Sequence, residues 1–181
     1  MLSRHFGESL LGGGEWVRTD YLLHKQAELV LAALTEPNRL VMRVAMHTGL
    51  RIGDVLALKN AELAPKMWVT EAKTGKRKQI GLPQKLLDEL RAKAGEVWVF
   101  PNRLDPQRHR QRSTVWKDVK RAAKAFRFKQ NVAPHSFRKL YAVKLLEKYH
   151  DLERVRRALN HSDAATTMIY AMADKLLAEK A

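Results

Sequence analysis

A chain of 181 residues is long enough for one domain with a sizeable core and too short for more than two small ones. Hydrophobic residues make up 45% of it, yet no apolar run approaches the length of a membrane span, and the start lacks the apolar block of a signal peptide. The absence of cysteine excludes disulfides, thiolate zinc sites and a cysteine nucleophile and fits a reducing cytoplasm, while 34 Lys+Arg against 19 Asp+Glu leave +15 and favour a polyanionic partner.

Residues 1–19 contain Gly12-Gly13-Gly14 and little periodicity, so they read as a flexible segment without chemistry, and one domain is expected over residues 20–181. From Asp20, a plausible N-cap, apolar residues recur at helical spacing through Leu22, Leu23, Leu29, Val30 and Leu34. Glu36-Pro37 starts a second helix through Leu40, Val41, Val44 and Ala45, which Gly49 stops. Arg51 follows at the mouth of a short third helix carrying Asp54, Val55, Leu56 and Leu58, and Asp54 is expected to cap that helix or orient Arg51.

Residues 67–72 alternate as a strand, Thr74-Gly75 supplies a turn, and residues 79–82 return as the partner, which places Lys73 beside the turn of an exposed hairpin. Residues 83–94 form an amphipathic helix ended by Gly95, and residues 97–100 read as a short apolar strand. An arginine-rich loop runs to Arg112, and Ser113 or Thr114 caps a basic helix to Phe126. Pro134 opens the next helix and Asp151 another, to Leu159; no internal repeat is evident.

The positive charge is concentrated. Residues 101–150 hold fourteen Lys/Arg against three Asp/Glu, so Arg103, Arg108, Arg110, Arg112, Lys117, Lys120, Arg121 and Lys124 read as a track for phosphates rather than a merely solvated face. Lys76, Arg77 and Lys78 on the hairpin are backbone contacts at most.

Beyond that track lies Pro134-His135-Ser136-Phe137-Arg138, where His135 and Arg138 share a helix face at i, i+3. His161 and Tyr170 follow, separated by a Ser-Asp helix start that lets the chain turn between them. Two imidazoles, a guanidinium and a phenol suit work on an anion. The His-x-x-Arg box, Leu159-Asn160-His161 and the terminal Tyr170 resemble the C-terminal half of the tyrosine recombinase (phage integrase) catalytic domain. Thr48-Gly49-Leu50-Arg51-Ile52-Gly53-Asp54 resembles that family's first arginine box, and Ala72-Lys73-Thr74-Gly75-Lys76 resembles the hairpin carrying its lysine. Asn160 stands where the family usually has glycine, a change that removes no functional group.

The resemblance implies an α+β, mainly helical, DNA breaking-rejoining catalytic domain with a small antiparallel β-sheet, cleaving and rejoining double-stranded DNA through a 3′-phosphotyrosyl intermediate. It assigns Arg51, Lys73, His135, Arg138, His161 and Tyr170 as the catalytic set: arginines and histidines on the non-bridging oxygens, His135 as base, Tyr170 as nucleophile and Lys73 as general acid. Each guanidinium would offer a planar fork to two phosphoryl oxygens. No metal or other cofactor is implied. The N-terminal core-binding domain usual in the family is read as absent. Assembly on DNA as a homo-oligomer through the tail, residues 172–181, is implied, whereas the free protein is expected to be monomeric, and a bacterial or phage-encoded cytoplasmic protein is the expectation. Two rival readings are a non-catalytic DNA-binding module derived from an integrase, and a metal-dependent nuclease using Glu71-x-Lys73.

Overall fold

A computed structural model describes residues 8–10 and 16–159. The order is β1 (Glu8–Leu10), β2 (Trp16–Arg18), α1 (His24–Ala33), α2 (Glu36–Thr48), α3 (Ile52–Leu56), a 3-10 turn at Asn60–Glu62, β3 (Lys66–Thr70), β4 (Arg77–Gly81), α4 (Gln84–Lys93), α5 (Arg112–Ala125), α6 (Pro134–Tyr149) and α7 (Leu152–Leu159). The mainly helical α+β architecture with a small antiparallel sheet is therefore as expected. Within the stretch read as a tether, β1 pairs antiparallel with β2.

The centre of the molecule is α2. Leu40, Val41, Met42, Val44, Ala45 and Met46 are all buried, so this helix shows the core more than the single apolar stripe of a surface helix. Helix α6 packs beside it and buries Phe137, Leu140, Ala142 and Val143, with Arg138 and Lys139 drawn in among them. Burying a side chain of the Val, Leu or Phe class is worth about 1.5–3 kcal/mol, so this α2–α6 pair is a rigid platform for whatever its ends carry. A smaller cluster of Ala142, Val155 and Leu159, flanked by Tyr141 and Leu145, seats α7 on the far part of α6.

Strands β3 and β4 pair antiparallel in the register Met67↔Ile80 and Thr70↔Arg77, so Met67, Lys78 and Ile80 point inward while Trp68 and Arg77 stay outside. The six residues between the strands form the loop that carries Lys73, and Gly75 turns there at φ 67. That left-handed backbone suits glycine.

Several local expectations are corrected. Asp20 does not cap α1: its carboxylate accepts the Asn131 N–H at 2.7 Å and ties the chain to the loop before α6, while the Gln26 side chain caps Leu23 N–H at 3.0 Å. Residues 97–100 do not make a strand, because Trp98 forms only an isolated bridge with Lys59. Helix α5 begins at Arg112 with Gln111 as N-cap, not at Ser113 or Thr114. Asp151, by contrast, receives the Arg154 N–H at 3.0 Å and starts α7 as expected.

Candidate active site

The site grows from the C-terminal end of α2. Gly49 closes that helix at φ 64, and the chain then enters Arg51, the residue just before α3. A β-carbon on Gly49 would lie 2.2 Å from Cδ1 of Tyr141, so glycine meets two demands here, a left-handed backbone and a ring packed against it. Arg51, with 23% of its side chain exposed, donates from Nη1 to Oε2 of Glu71 at 2.9 Å.

Glu71 ends the first arm of the hairpin and is 0% exposed. Its Oε2 also accepts the Thr74 hydroxyl at 3.0 Å, and its Oε1 lies 3.9 Å from Nη1 of Arg138. One carboxylate is thus shared by the two arginines that the sequence placed 87 positions apart by number, 51 and 138. Burial alone would raise the Glu71 carboxyl, but Arg51, the hydrogen bonds from Thr74 and Arg51, and Arg138 outweigh it and hold it below the ordinary value of 4.5.

Arg138 is 2% exposed. Nη1 donates to the Gly49 carbonyl and Nη2 to the Leu159 carbonyl at 2.6 Å. The guanidinium is thus enclosed by the ends of α2 and α7, whose carbonyls accept two of its N–H groups. Burial first, and the nearby Arg51 second, push its pKa down to about 10, so it stays charged at neutral pH. His135 stands half-buried in the first turn of α6, one turn before Arg138 on the same helix face.

Asp54 does not orient Arg51. Buried in α3, it accepts the Ala72 N–H on Oδ1 at 2.9 Å and so pins the loop that presents Lys73. Lys73 itself, two residues after Glu71, is exposed at that loop. His161 and Tyr170 lie outside the described residues. Tyr141, which feels the charge of Arg138, is nonetheless raised above 10.0 by burial and makes a poor nucleophile.

The sequence reading underrated two groups. Glu71 entered only as a metal ligand, yet its carboxylate faces two guanidinium groups that oppose a divalent cation. Lys78 entered as a backbone contact, yet it is buried, donates from Nζ to the Thr48 carbonyl at 2.6 Å and lies 5.3 Å from the centroid of the Tyr141 ring. Strand alternation was the available signal: with Met67 and Ile80 inward, Lys78 had to share their face.

The expected DNA contacts divide. Lys76, Arg112, Lys117 and Lys124 are exposed, Arg108 is exposed and paired with Asp105 at 3.2 Å, and Arg77 stacks over Trp68. Arg112 runs its stem past Gly53 and so borders the Arg51 turn. Arg110, Lys120 and Arg121 bind the protein itself. Arg110 donates to Asn38 Oδ1 at 2.6 Å, Lys120 to Asn131, and Arg121 to Asp118 at 2.7 Å.

Residues 20–176 match the sequence model of the Phage integrase family. A tyrosine recombinase of Thermosipho africanus (strain TCF52B) is 28% identical over 162 residues, covering 83% of this chain and 56% of that protein. Tyrosine recombinase XerD of Listeria monocytogenes serotype 4b (strain F2365) is 31% identical over 148 residues, covering 75% and 50%. The chain thus spans about half the length of the curated relatives it matches. Among solved structures, a lambda integrase(75-356) dimer bound to a COC′ core site aligns with TM-score 0.71 at 23% identity over 84% of this chain and 59% of that one. The lambda integrase catalytic core aligns with TM-score 0.67 at 22% identity over 81% and 93%. These structures share the fold, and with the match over residues 20–176 the chain belongs to the phage integrase family.

Proposed function

We propose that this chain is the catalytic domain of a site-specific DNA recombinase or integrase that cleaves and rejoins strands through a 3′-phosphotyrosyl ester on Tyr170. The observation that carries the reading is the convergence of Arg51 and Arg138 on one buried carboxylate, beneath an exposed loop that holds Lys73. A phosphodiester passing through a five-coordinate phosphorus gathers negative charge on its non-bridging oxygens, and fixed donors there are typically worth about 3 to 4 kcal/mol each. Arg51, partly exposed, is the cation a phosphate meets first. Arg138, already engaged with two carbonyls, supplies field from below and would trade an acceptor to touch the anion directly.

Tyr170 would attack as phenolate, with His135 as base, and His161 would add a donor. The leaving 5′-oxygen would take its proton from Lys73. The ester keeps the energy of the broken bond available for rejoining, so no nucleotide cofactor is required. Double-stranded DNA is the proposed substrate, with assembly into a homo-oligomer on it through residues 172–181. Relatives in solved structures are described bound to DNA, one of them as a tetramer on a Holliday junction.

The test is incubation with nicked suicide duplexes drawn from a randomised pool, followed by denaturing electrophoresis and sequencing of trapped DNA. A covalent protein–DNA adduct is expected with the wild-type chain and none with Tyr170→Phe, whose duplex affinity should be almost unchanged. An adduct formed at the normal rate by Tyr170→Phe would remove Tyr170 as nucleophile. Strand cleavage without an adduct, stopped by EDTA, would favour the metal-dependent nuclease instead.

A further inference from the structure

None of the roles above uses Lys78. It projects from β4 toward the core with 9% of its surface exposed, and its Nζ donates to the Thr48 carbonyl at 2.6 Å. The next carbonyl along, Gly49, accepts Arg138. Two cations from two separate elements therefore close on consecutive carbonyls at the C-terminus of α2, where unpaired acceptors and the helix dipole favour positive charge. The Tyr141 ring fills the remaining side, packed against Gly49 and under the Lys78 ammonium.

Charged neighbours reach Lys78 from every element around it: Arg138 and Tyr141 from α6, Glu71 from the hairpin loop, and Arg51 and Asp54 from the α3 turn. Three cations face two carboxylates, which leaves the buried cluster with a surplus positive charge. A methionine would fill the same space without the cost of burying a charge, so anchoring alone is a poor account of a lysine here.

We propose that Lys78 is a positioning residue for the Arg51–Arg138 site, locking the α2 terminus that holds Arg138 and maintaining the surplus charge that a bound phosphodiester neutralises. The inference rests on the proposed reading in one respect, that the anion is a DNA phosphate. Burial, then the field of Arg138, holds the Lys78 pKa down at about 8. Free protein therefore sheds this proton as pH rises through that value, and an arriving phosphate, by favouring the ammonium, draws it back.

Two measurements test this. In single-turnover adduct formation at saturating duplex, Lys78→Met should slow cleavage about tenfold or more, the scale of cost for a slightly misplaced group, with duplex affinity little changed. Lys78→Arg should restore most of the rate. At sub-saturating duplex, where the rate reports the free protein, the wild-type rate should also fall above about pH 8 and the Lys78→Arg rate should not, since a guanidinium keeps its proton. The second measurement needs no catalysis: titration calorimetry of wild-type protein with duplex at about pH 8.5, in buffers of differing ionisation enthalpy, should report proton uptake. Uptake should vanish in Lys78→Arg. Wild-type cleavage by Lys78→Met, or absence of proton uptake by the wild-type chain, would overturn the proposal. If no adduct forms with any protein, the recombinase reading fails, and calorimetry alone decides the role of Lys78.

Discussion

Glu71 holds together residues that come from three separate parts of the chain, and its chemistry explains why. Arg51 and Arg138 repel one another, and a fully buried carboxylate between them turns that repulsion into two attractions. Removing one partner of such a buried set leaves the others uncompensated and costs about 3–5 kcal/mol. Glu71→Gln is therefore expected to lose at least about 3 kcal/mol of unfolding free energy at pH 7, read by urea denaturation. The pH dependence has a definite sign. Because the folded carboxyl lies below 4.5, its contribution is complete above that value and disappears as pH falls through the folded pKa. The gap between wild type and Glu71→Gln should accordingly be full at neutral pH and close on acidification. A gap that widened in acid would refute this account.

Helix α2 is matched in charge at both ends. Asp118 from α5 accepts Thr35 N–H at 3.0 Å and Asn38 at 2.7 Å at the start, and Arg138 and Lys78 meet the final carbonyls. Each arrangement suits the helix dipole. Burial alone would raise Asp118, yet the hydrogen bonds from Asn38, Arg121 and Thr35 hold its carboxyl below 3.8. The terminus at Gly49 is where the helix, the first arginine turn and the α6 ring meet. Gly49→Ala should cost about 1–2 kcal/mol from the left-handed backbone alone, with more from contact with Tyr141. Tyr141→Ala in the same chain should recover part of the second cost and none of the first. Thermal melts of the two single variants and the double variant separate the terms, and full additivity would show that the ring is not the obstacle.

For the whole molecule, +15 is a statement about partners, but only some of the cations are available to act on it. Lys76, Arg112, Lys117 and Lys124 stand exposed, whereas Arg110 and Lys120 are half-buried on Asn38 and Asn131, and Arg121, though exposed, is tied to Asp118. Duplex affinity should fall steeply with salt, and Lys117→Ala and Lys124→Ala should each reduce the slope of log affinity against log salt by about 0.9 if the residue meets a phosphate. Arg110→Ala should leave that slope alone and instead lower stability by about 1–3 kcal/mol, since it strips a hydrogen bond from part-buried Asn38. The reverse pattern, slope lost with Arg110 and stability with Lys117, would mean that the division into free and structural cations is mistaken.

Much of this protein was determined by local sequence. Pro37 and Gly49 bound α2, Thr74-Gly75 turns the hairpin, and Asp151 starts α7, because each feature depends on one residue's backbone preference or one short hydrogen bond. The family, the helical α+β class and the placing of Lys73 on an exposed loop were likewise legible, since motif order and period survive without knowledge of packing. Tertiary structure alone decided the rest. Asp20 left its expected helix cap for a loop 111 residues away, and Asp54 went to Ala72 rather than Arg51, because an acceptor takes whichever donor folding brings near. A basic stretch looks uniform in sequence, yet Arg110 and Lys120 are half-buried against Asn38 and Asn131 while Lys117 and Lys124 stay outside. Folding also drew Glu71 and Lys78 beneath the arginines, and no spacing rule could foresee it: the energy of a buried charge depends on every group around it, and those groups meet only when the chain is folded.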